Sequence, residues 1–246
     1  MEFSCNICGC ENRAIRSTLD RESSSCRQCQ SSVRTRAIAF LIVQEIKGAG
    51  GLLRNLRPSG HVVIGLSDWS GYAIHLESRL RYQNTFYTRE PRLDITDPPA
   101  RLHGRADLVI ASDVFEHVAP PVSAAFHGAA RLLKPGGALV FSVPYGLHGD
   151  TAEHFPNLHD YSVEGQGAER RLVNRTRDGE VETFDGLCFH GGEGATLEMR
   201  VFSLASLVAQ CRSAGLQEPE IMRDVPAHGI LWPHSWSHAM LIRKLR

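Results

Sequence analysis

The sequence has no long apolar run, no recognisable signal segment and no net charge. None of its apolar runs approaches the roughly 18 residues that a membrane-spanning helix needs. The first ten residues, MEFSCNICGC, contain neither a basic region nor an apolar core, so we expect no signal peptide. With 27 Lys and Arg against 27 Asp and Glu, no overall field attracts a polyanion. These absences predict a cytoplasmic protein without a membrane partner, whose cysteines serve metals or cores rather than disulfides.

Two pairs of cysteines dominate the N-terminal region. Cys5 and Cys8 form one CxxC motif, Cys26 and Cys29 form another, and 17 residues separate the pairs. This spacing suits a closed tetrahedral site of four thiolates, so we predict a structural Zn²⁺ in a ribbon-like unit. Cys10 lies just beyond the first pair and is interpreted as a spare thiol; the alternative is that it replaces Cys8 as a ligand if the first turn shifts. The 246 residues therefore divide into a zinc-ribbon-like unit at 1–33 and a larger domain at 34–246.

The most informative stretch of the larger domain is 106–144, ADLVIASDVFEHVAPPVSAAFHGAARLLKPGGALVFSVP. Its first apolar run has the length of a buried parallel strand. Pro120 and Pro121 then introduce an alanine-rich helix that ends at Lys134, before Pro-Gly-Gly and a second apolar run. The pattern predicts a β-α-β unit with a right-handed crossover.

The residues within this unit carry a resemblance to a known family. SDVFEHV followed by RLLKPGGALVFSVP is similar, in order and spacing, to the segment from the fourth to the fifth strand of class I S-adenosylmethionine-dependent methyltransferases. The resemblance implies an α/β fold: a doubly wound, mostly parallel, seven-stranded sheet whose last strand, at 239–244, runs antiparallel. It also implies S-adenosyl-L-methionine as cofactor.

The resemblance further implies where the cofactor binds. The family's first-strand loop has the form GxGxG, but this chain has GLSDWSG at 65–71, so polar side chains replace glycines. The acid expected near the end of the second strand, placed at 84–88, is Glu90, and the third-strand acid is Asp94. The cofactor-binding residues implied in this way are Gly65, Leu66, Ser67, Asp68, Glu90, Asp94, Ile95, Ser112, Asp113 and His117.

About 55 residues after Pro144 form an insertion, at 144–200, that is too long for a simple connection. It contains a predicted β-hairpin turning at Asp178 and Gly179. We interpret it as a lid over the substrate, followed by a helix at 201–214. Methyl transfer to an oxygen needs a general base, and a histidine is the natural candidate. The candidates are His154, His159, His190 and His117.

Three functions are compatible with these features. The first is methylation of a small polar acceptor, most plausibly O-methylation of a sugar or related metabolite, because the chain also resembles deoxysugar methyltransferases with an N-terminal zinc unit. The second is methylation of an rRNA base, as in guanine methyltransferases with a zinc ribbon; the lid carries eleven Asp and Glu against five Arg, which disfavours it. The third is a non-catalytic binding protein with the same fold. The oligomeric state is left open.

Overall fold

A central mixed sheet organises the structure, a computed structural model that describes residues 1–46, 51–190 and 196–246. The strands are β1 (Glu2–Ser4), β2 (Glu11–Arg13), β3 (Val62–Leu66), β4 (Arg81–Thr85), β5 (Ala106–Ser112), β6 (Leu133–Ser142), β7 (Tyr145–Gly146), β8 (Ala152–Glu153), β9 (Asp160–Glu164), β10 (Arg171–Arg175), β11 (Val181–Phe184), β12 (Arg200–Ser203), β13 (Glu220–Ile221) and β14 (Met240–Arg243). The α-helices are α1 (Val33–Ile46), α2 (Ser70–Glu77), α3 (Ser123–Leu132) and α4 (Leu204–Ser213).

The central sheet has the order β13-β14-β6-β5-β3-β4 within the described residues. Strands β4, β3, β5 and β6 are parallel, whereas β14 runs antiparallel to β6 and β13 antiparallel to β14. The mixed α/β sheet with an antiparallel closing strand agrees with the prediction, but the described residues form six strands of this sheet instead of the predicted seven. The expected third strand around Leu93–Ile95 is absent, and a single bridge joins Phe86 to Arg92 there. Prolines on both sides of this segment, at 91, 98 and 99, cannot donate to a ladder.

Helices cover both faces of the sheet and create two cores. One face packs Val63, Leu108 and Val140 against residues of α1 and α2. The opposite face packs Phe141 and its neighbours on β3, β5 and β6 against α3 and α4. Because β3, β5 and the 138–142 part of β6 are buried on both sides, their sequences are largely continuous apolar runs rather than alternating ones.

The N-terminal unit shares the first of these cores. Phe3, Ile7 and Leu19 lie in the same buried cluster as the apolar side of α1. Arg36 of α1 is fully buried and donates hydrogen bonds to the Ser31 and Gly229 carbonyl oxygens. The unit at 1–33 is therefore continuous with the larger domain through packing and hydrogen bonds.

Several element boundaries differ from the sequence predictions. Strand β4 ends at Thr85, three residues before the predicted end. Helix α3 begins at Ser123 and ends at Leu132, so the Lys134-Pro-Gly-Gly segment belongs to β6 instead of the helix end. The predicted helix at 201–214 begins as β12, and the Ser203 hydroxyl then accepts a hydrogen bond from the Ser206 amide to cap α4. The errors at α3/β6 and at β12/α4 fall where a strand and a helix meet without a loop, whereas β4 is followed by a stretch of bends.

The segment between Pro144 and Arg200 forms two small sheets beside the central one. Strands β9, β10 and β11 form an antiparallel sheet, with the β10–β11 hairpin turning through Asp178 and Gly179. Strands β7 and β8 flank β12. Among the helices of the described residues, none combines the length and apolar character needed to cross a bilayer.

Candidate functional site

A cavity of about 480 Å³ opens at the carboxyl ends of β3, β4 and β5. Ligands of open α/β sheets bind at this edge, and the volume lies in the range of small-molecule sites. The lining residues come from the ends of these strands, the start of α3 and the insertion: Leu66, Ser67, Thr85, Phe86, Tyr87, Thr88, Leu93, Asp94, Ile95, Thr96, Asp113, Val114, His117, Val118, Ala119, Pro120, Pro121, Ala124, Tyr161, Thr196 and Met199.

The loop after β3 is held by a buried carboxylate. Tyr72 and Tyr82 each donate a hydroxyl hydrogen bond of 2.8 Å to Asp68. Burial raises the pKa of Asp68 to about 7, against the opposing effect of the two tyrosines. A Cβ on Gly65 would lie 2.1 Å from the Asp68 carboxylate, so only glycine fits. Gly65 and Asp68 lie outside the cavity lining and support Leu66 and Ser67, which form part of it.

The segment at 93–96 forms the wall beside α3. The Asp94 carboxylate accepts hydrogen bonds from the Thr96 amide, at 2.9 Å, and the Thr96 hydroxyl, at 2.6 Å. A Cβ on Gly128 of α3 would approach the Ile95 carbonyl oxygen to 1.6 Å, so this contact depends on glycine. The Asp94 carboxylate is thus held by Thr96, and the Ile95 backbone is held close to α3. Both residues line the cavity.

Glu90 does not take the position expected of it. It is exposed, its carboxylate accepts a hydrogen bond from the Arg92 amide, and it lies outside the cavity lining. Residues 85–88 face the cavity instead. Because β4 ends earlier than predicted, the acid falls on the exposed bend beyond the cavity.

Two arginines, Arg21 of the N-terminal unit and Arg34 of α1, bind the end of β5. Arg21 donates to both carboxylate oxygens of Asp113, and the Arg34 Nε atom lies 3.1 Å from Asp113 Oδ2. Arg34 also donates to the Ser112 hydroxyl at 2.7 Å. Burial alone would raise the pKa of Asp113, but the two guanidinium charges outweigh it and hold that pKa well below its usual value. Asp113 lines the cavity as a permanent anion, and Ser112 lies behind it.

His117 stands in the cavity wall with a defined tautomer. Its Nδ1 atom lies 3.0 Å from the Leu197 carbonyl oxygen, and because a carbonyl only accepts, Nδ1 carries the proton. Nε2 is then the basic nitrogen. Burial lowers the pKa of His117 below its usual value, so the imidazole is neutral at physiological pH. This arrangement suits a general base.

Two buried ionisable side chains, Arg200 and Glu116, lie at the loop that carries His117. Arg200 is fully buried and donates to the carbonyl oxygens of Phe115 and Val118 at 3.0 and 2.6 Å. Glu116 is also fully buried, and within the described residues its carboxylate oxygens have no hydrogen-bond partner. Burial, with the Asp113 charge nearby, raises the pKa of Glu116 well above its usual value. Burial at this position therefore favours the protonated form of the Glu116 carboxyl group.

The other three candidate histidines lie outside the cavity lining. His154 and His190 both contact the Glu198 carboxylate, with nitrogen–oxygen distances of 2.9 and 3.2 Å. His159 is exposed next to β9. Only His117 shares the cavity with the cofactor candidates Leu66, Ser67, Asp94, Ile95 and Asp113.

Sequence reasoning missed several residues of this site. Tyr161, Thr196 and Met199 of the insertion line the cavity, although no motif in the sequence marks them. Arg21, which forms an ion pair with Asp113, lies in the N-terminal unit, 92 residues earlier in the sequence. No local signal marks such a contact, because it arises only when the unit packs on the sheet edge.

The four cysteines of the N-terminal unit converge on one point. The Cys5–Cys29 and Cys8–Cys26 sulfur distances are 3.6 and 3.7 Å, and all four sulfur atoms lie within 4.8 Å of one another. A tetrahedral zinc site with Zn–S bonds of about 2.3 Å has sulfur–sulfur separations of about 3.8 Å. The donor set and its dimensions therefore fit Zn²⁺.

A second layer of groups supports this cluster. The Ser31 hydroxyl lies 3.4 Å from the sulfur atoms of Cys5 and Cys29. Arg36 donates to that hydroxyl at 3.3 Å and brings a buried positive charge close to the thiols. Four thiolates around a divalent ion would leave a net charge of about −2, which this guanidinium would partly offset.

These features define an α/β domain with a small-molecule site at the carboxyl edge of its parallel strands. Residues 47–217 match a family model described as "Methyltransferase domain". Since this match covers more than half of the chain, the chain belongs to the methyltransferase-domain family and is a methyltransferase. Comparison with curated proteins gives no significant match.

Solved methyltransferase structures are similar to this chain at low sequence identity. The 1,6-didemethyltoxoflavin-N1-methyltransferase of Burkholderia thailandensis, with S-adenosylhomocysteine bound, is 16% identical; the match covers 87% of this chain and 78% of that one, with a TM-score of 0.48. CalS10, an amino pentose methyltransferase from Micromonospora echinaspora with S-adenosylmethionine bound, is 14% identical over 87% and 92% of the two chains, also at 0.48. At these identities and TM-scores the likeness carries no argument about this chain.

Proposed function

We propose that this methyltransferase uses S-adenosylmethionine to methylate a hydroxyl of a small polar molecule such as a sugar. The observation that carries the proposal is that His117 lines the same cavity as Leu66, Asp94 and Ile95. A neutral imidazole and the implied cofactor-binding residues thus share one space. That is the requirement for transferring a methyl group to an oxygen that must lose a proton.

Three parts of the cavity bind the cofactor in this proposal. The loop of Leu66 and Ser67 receives the amino-acid end, and its backbone is held in position by the buried Asp68. Asp94, held through one oxygen by Thr96, offers the other oxygen to the adenine amino group. Ile95 packs against the adenine ring. When bound, the cofactor supplies an activated methyl group for in-line transfer.

His117 acts as the general base of the proposal. Its protonated Nδ1 is directed to the Leu197 carbonyl, so Nε2 is left to take the proton of the acceptor hydroxyl. Asp113, held as an anion beside the cavity, stabilises the imidazolium that results. Tyr161 and Met199 of the insertion close the cavity on the acceptor side and exclude water.

The charge of the insertion favours a neutral or cationic acceptor over RNA. Residues 144–200 carry eleven acidic side chains against five arginines, and three residues from this segment line the cavity. Binding to phosphates needs clustered basic residues instead. The four-cysteine unit then serves as a structural support, with Zn²⁺ held by Cys5, Cys8, Cys26 and Cys29.

Calorimetry and a transfer assay test this function together. We expect S-adenosylmethionine and S-adenosylhomocysteine to bind with micromolar dissociation constants. Methyl-tritiated cofactor should then label at least one member of a panel of free and nucleotide-linked sugars. Absence of any cofactor binding heat would overturn the methyltransferase mechanism and favour a non-catalytic protein. Labelling of rRNA fragments, with a steep dependence on salt, would replace the small acceptor by RNA.

A further inference from the structure

A cluster of metal-binding residue types lies in the insertion, apart from the four-cysteine site. We name it the lid cluster; it consists of His154, Cys188, His190 and Glu198. An antiparallel bridge between Phe189 and Leu197 aligns two chain segments, with hydrogen bonds from the His190 amide to Thr196 and from the Glu198 amide to Cys188. Alternation along a strand places Cys188 and His190 on the same face, and the register places Glu198 opposite Cys188. The backbone thus brings three different donor types together.

The distances within the lid cluster match the edges of a metal polyhedron. Cys188 Sγ lies 3.5 Å from His190 Nε2, and His190 Nε2 lies 3.2 Å from Glu198 Oε2. All three donor atoms are within 4.8 Å of one another. A tetrahedral zinc ion with usual bond lengths separates sulfur from nitrogen by about 3.6 Å and nitrogen from oxygen by about 3.4 Å. The donor atoms already have the spacing that a zinc ion requires.

His154 gives the carboxylate of the cluster its orientation. Its Nε2 atom lies 2.9 Å from Glu198 Oε1, the oxygen that does not face His190. The Glu198 side chain is only 11% exposed, whereas those of His154 and His190 are 35% and 38% exposed. A carboxylate held from behind by a histidine, with its second oxygen turned to another donor, is the usual support of a metal ligand.

We propose that Cys188, His190 and Glu198 bind a Zn²⁺ ion, with His154 as the positioning residue and the fourth coordination position open. One thiolate, one imidazole and one carboxylate form a mixed set that suits zinc better than magnesium or calcium, which prefer oxygen alone. Three protein ligands with an open position differ from the closed four-thiolate site of the N-terminal unit. The lid cluster is therefore a second, chemically distinct metal site.

An ion at this position would stiffen the wall of the cavity. The His190 ring lies edge-on against the ring of His117, with centroids 5.2 Å apart. Leu197, between the ligand Glu198 and the cavity residue Thr196, provides the carbonyl oxygen that fixes the His117 tautomer. Metal binding would therefore tie the two segments of the lid together directly behind the proposed base. It would also remove His190 from the candidates for that base.

Metal content of the full chain tests the site without relying on activity. After incubation with Zn²⁺ and removal of the excess by gel filtration, elemental analysis should give two equivalents per chain. His190→Ala and Glu198→Gln should each give one. His159→Ala, a substitution of an exposed histidine in the same lid, is the matched control and should retain two. Far-UV circular dichroism on each variant checks that the fold is intact.

Replacement of zinc by Co²⁺ identifies the sulfur ligand. The sulfur-to-cobalt charge-transfer band of the wild type reports five thiolates, so Cys188→Ser should lower it by about a fifth, while Cys10→Ser leaves it unchanged. A single equivalent in the wild type that Cys26→Ser removes would overturn the proposal. So would two equivalents that persist in His190→Ala, because the second ion would then lie elsewhere. Neither outcome bears on cofactor binding, so this test is separate from that of the methyltransferase function.

Discussion

The guanidinium group of Arg21 donates hydrogen bonds of 2.8 and 2.7 Å to the two carboxylate oxygens of Asp113. Arg21 belongs to the N-terminal unit, whereas Asp113 directly follows β5 and lines the cavity. The side chains are each only 15% exposed, so the pair is largely withdrawn from solvent. The N-terminal unit thus reaches the candidate active site through an ion pair, in addition to its apolar contacts with α1.

Removing one member of this pair should lower the free energy of unfolding, because the remaining buried charge then has fewer partners. We expect Arg21→Met to lower the free energy of unfolding by about 3 kcal/mol in urea titrations. Arg13→Met is the control, since Arg13 and Glu2 form an exposed pair and its loss should cost less than about 0.5 kcal/mol. The double variant with Asp113→Asn should cost at least about 1 kcal/mol less than the sum of the single variants. Strict additivity would show that the two residues are not coupled.

The sequence predicts the parts of this fold that depend on local patterns. Apolar runs around Leu108 and Val140 and the intervening helix are local features, and both strands and the helix are present. Contacts between distant segments leave no such pattern. The ion pair between Arg21 and Asp113 forms only after the elements pack. The same holds for the hydrogen bonds that Asp68 accepts from Tyr72 and Tyr82. The sequence shows that Asp68 is a polar residue of a loop, but it does not show that the Asp68 side chain is buried.

The buried carboxylate of Asp68 should make stability fall as the pH rises. Its pKa is about 7 in the folded protein and about 3.9 when unfolded, so between these values the folded state holds a proton that the unfolded state has released. The stabilisation present below about pH 4 is lost as the pH rises through 7. Asp68→Asn has no such group. From pH 5.5 to 8.5, the stability of Asp68→Asn relative to the wild type should therefore rise by about 2 kcal/mol.

Urea titrations of both proteins at the two pH values give this difference, and the common effects of pH cancel in it. Loss of a tyrosine hydrogen bond lowers the stability of Asp68→Asn equally at both values, so the sign of the change is unaffected. A relative stability that is constant with pH would show that Asp68 is ionised in the folded protein at pH 5.5.

Two acidic residues, Asp94 and Glu90, are candidates for binding the cofactor, and they differ in their position relative to the cavity. Asp94 lines the cavity, whereas Glu90 is exposed and lies outside it. We expect Asp94→Asn to weaken binding of S-adenosylhomocysteine by about tenfold or more in calorimetry, as for loss of a charge-assisted hydrogen bond. Glu90→Gln, the matched control, should leave the dissociation constant unchanged. The reverse result would place the adenosyl group on the exposed bend after β4.

The four-cysteine unit should hold one metal ion that the domain needs for stability. Cys26→Ser should bind one equivalent of zinc fewer than the wild type in elemental analysis, and Cys10→Ser should bind as much as the wild type. Because Phe3, Ile7 and Leu19 share a core with α1, loss of this ion should also lower the free energy of unfolding by more than about 4 kcal/mol. Full zinc content in Cys26→Ser would exclude the assigned ligand set.

His117 should control the chemical step and its dependence on pH. With the acceptor that the tritium assay identifies, His117→Ala should lower kcat by about 10²- to 10⁴-fold and leave the dissociation constant of S-adenosylmethionine unchanged. His148→Ala, a substitution of an exposed histidine, is the control. A base acts in its deprotonated form, and burial lowers the pKa of His117 below the usual 6.5. Activity of the wild type should therefore persist at neutral pH and fall only as the pH drops through that lowered pKa. If the activity of His117→Ala still falls at low pH as the wild-type activity does, another group takes the proton.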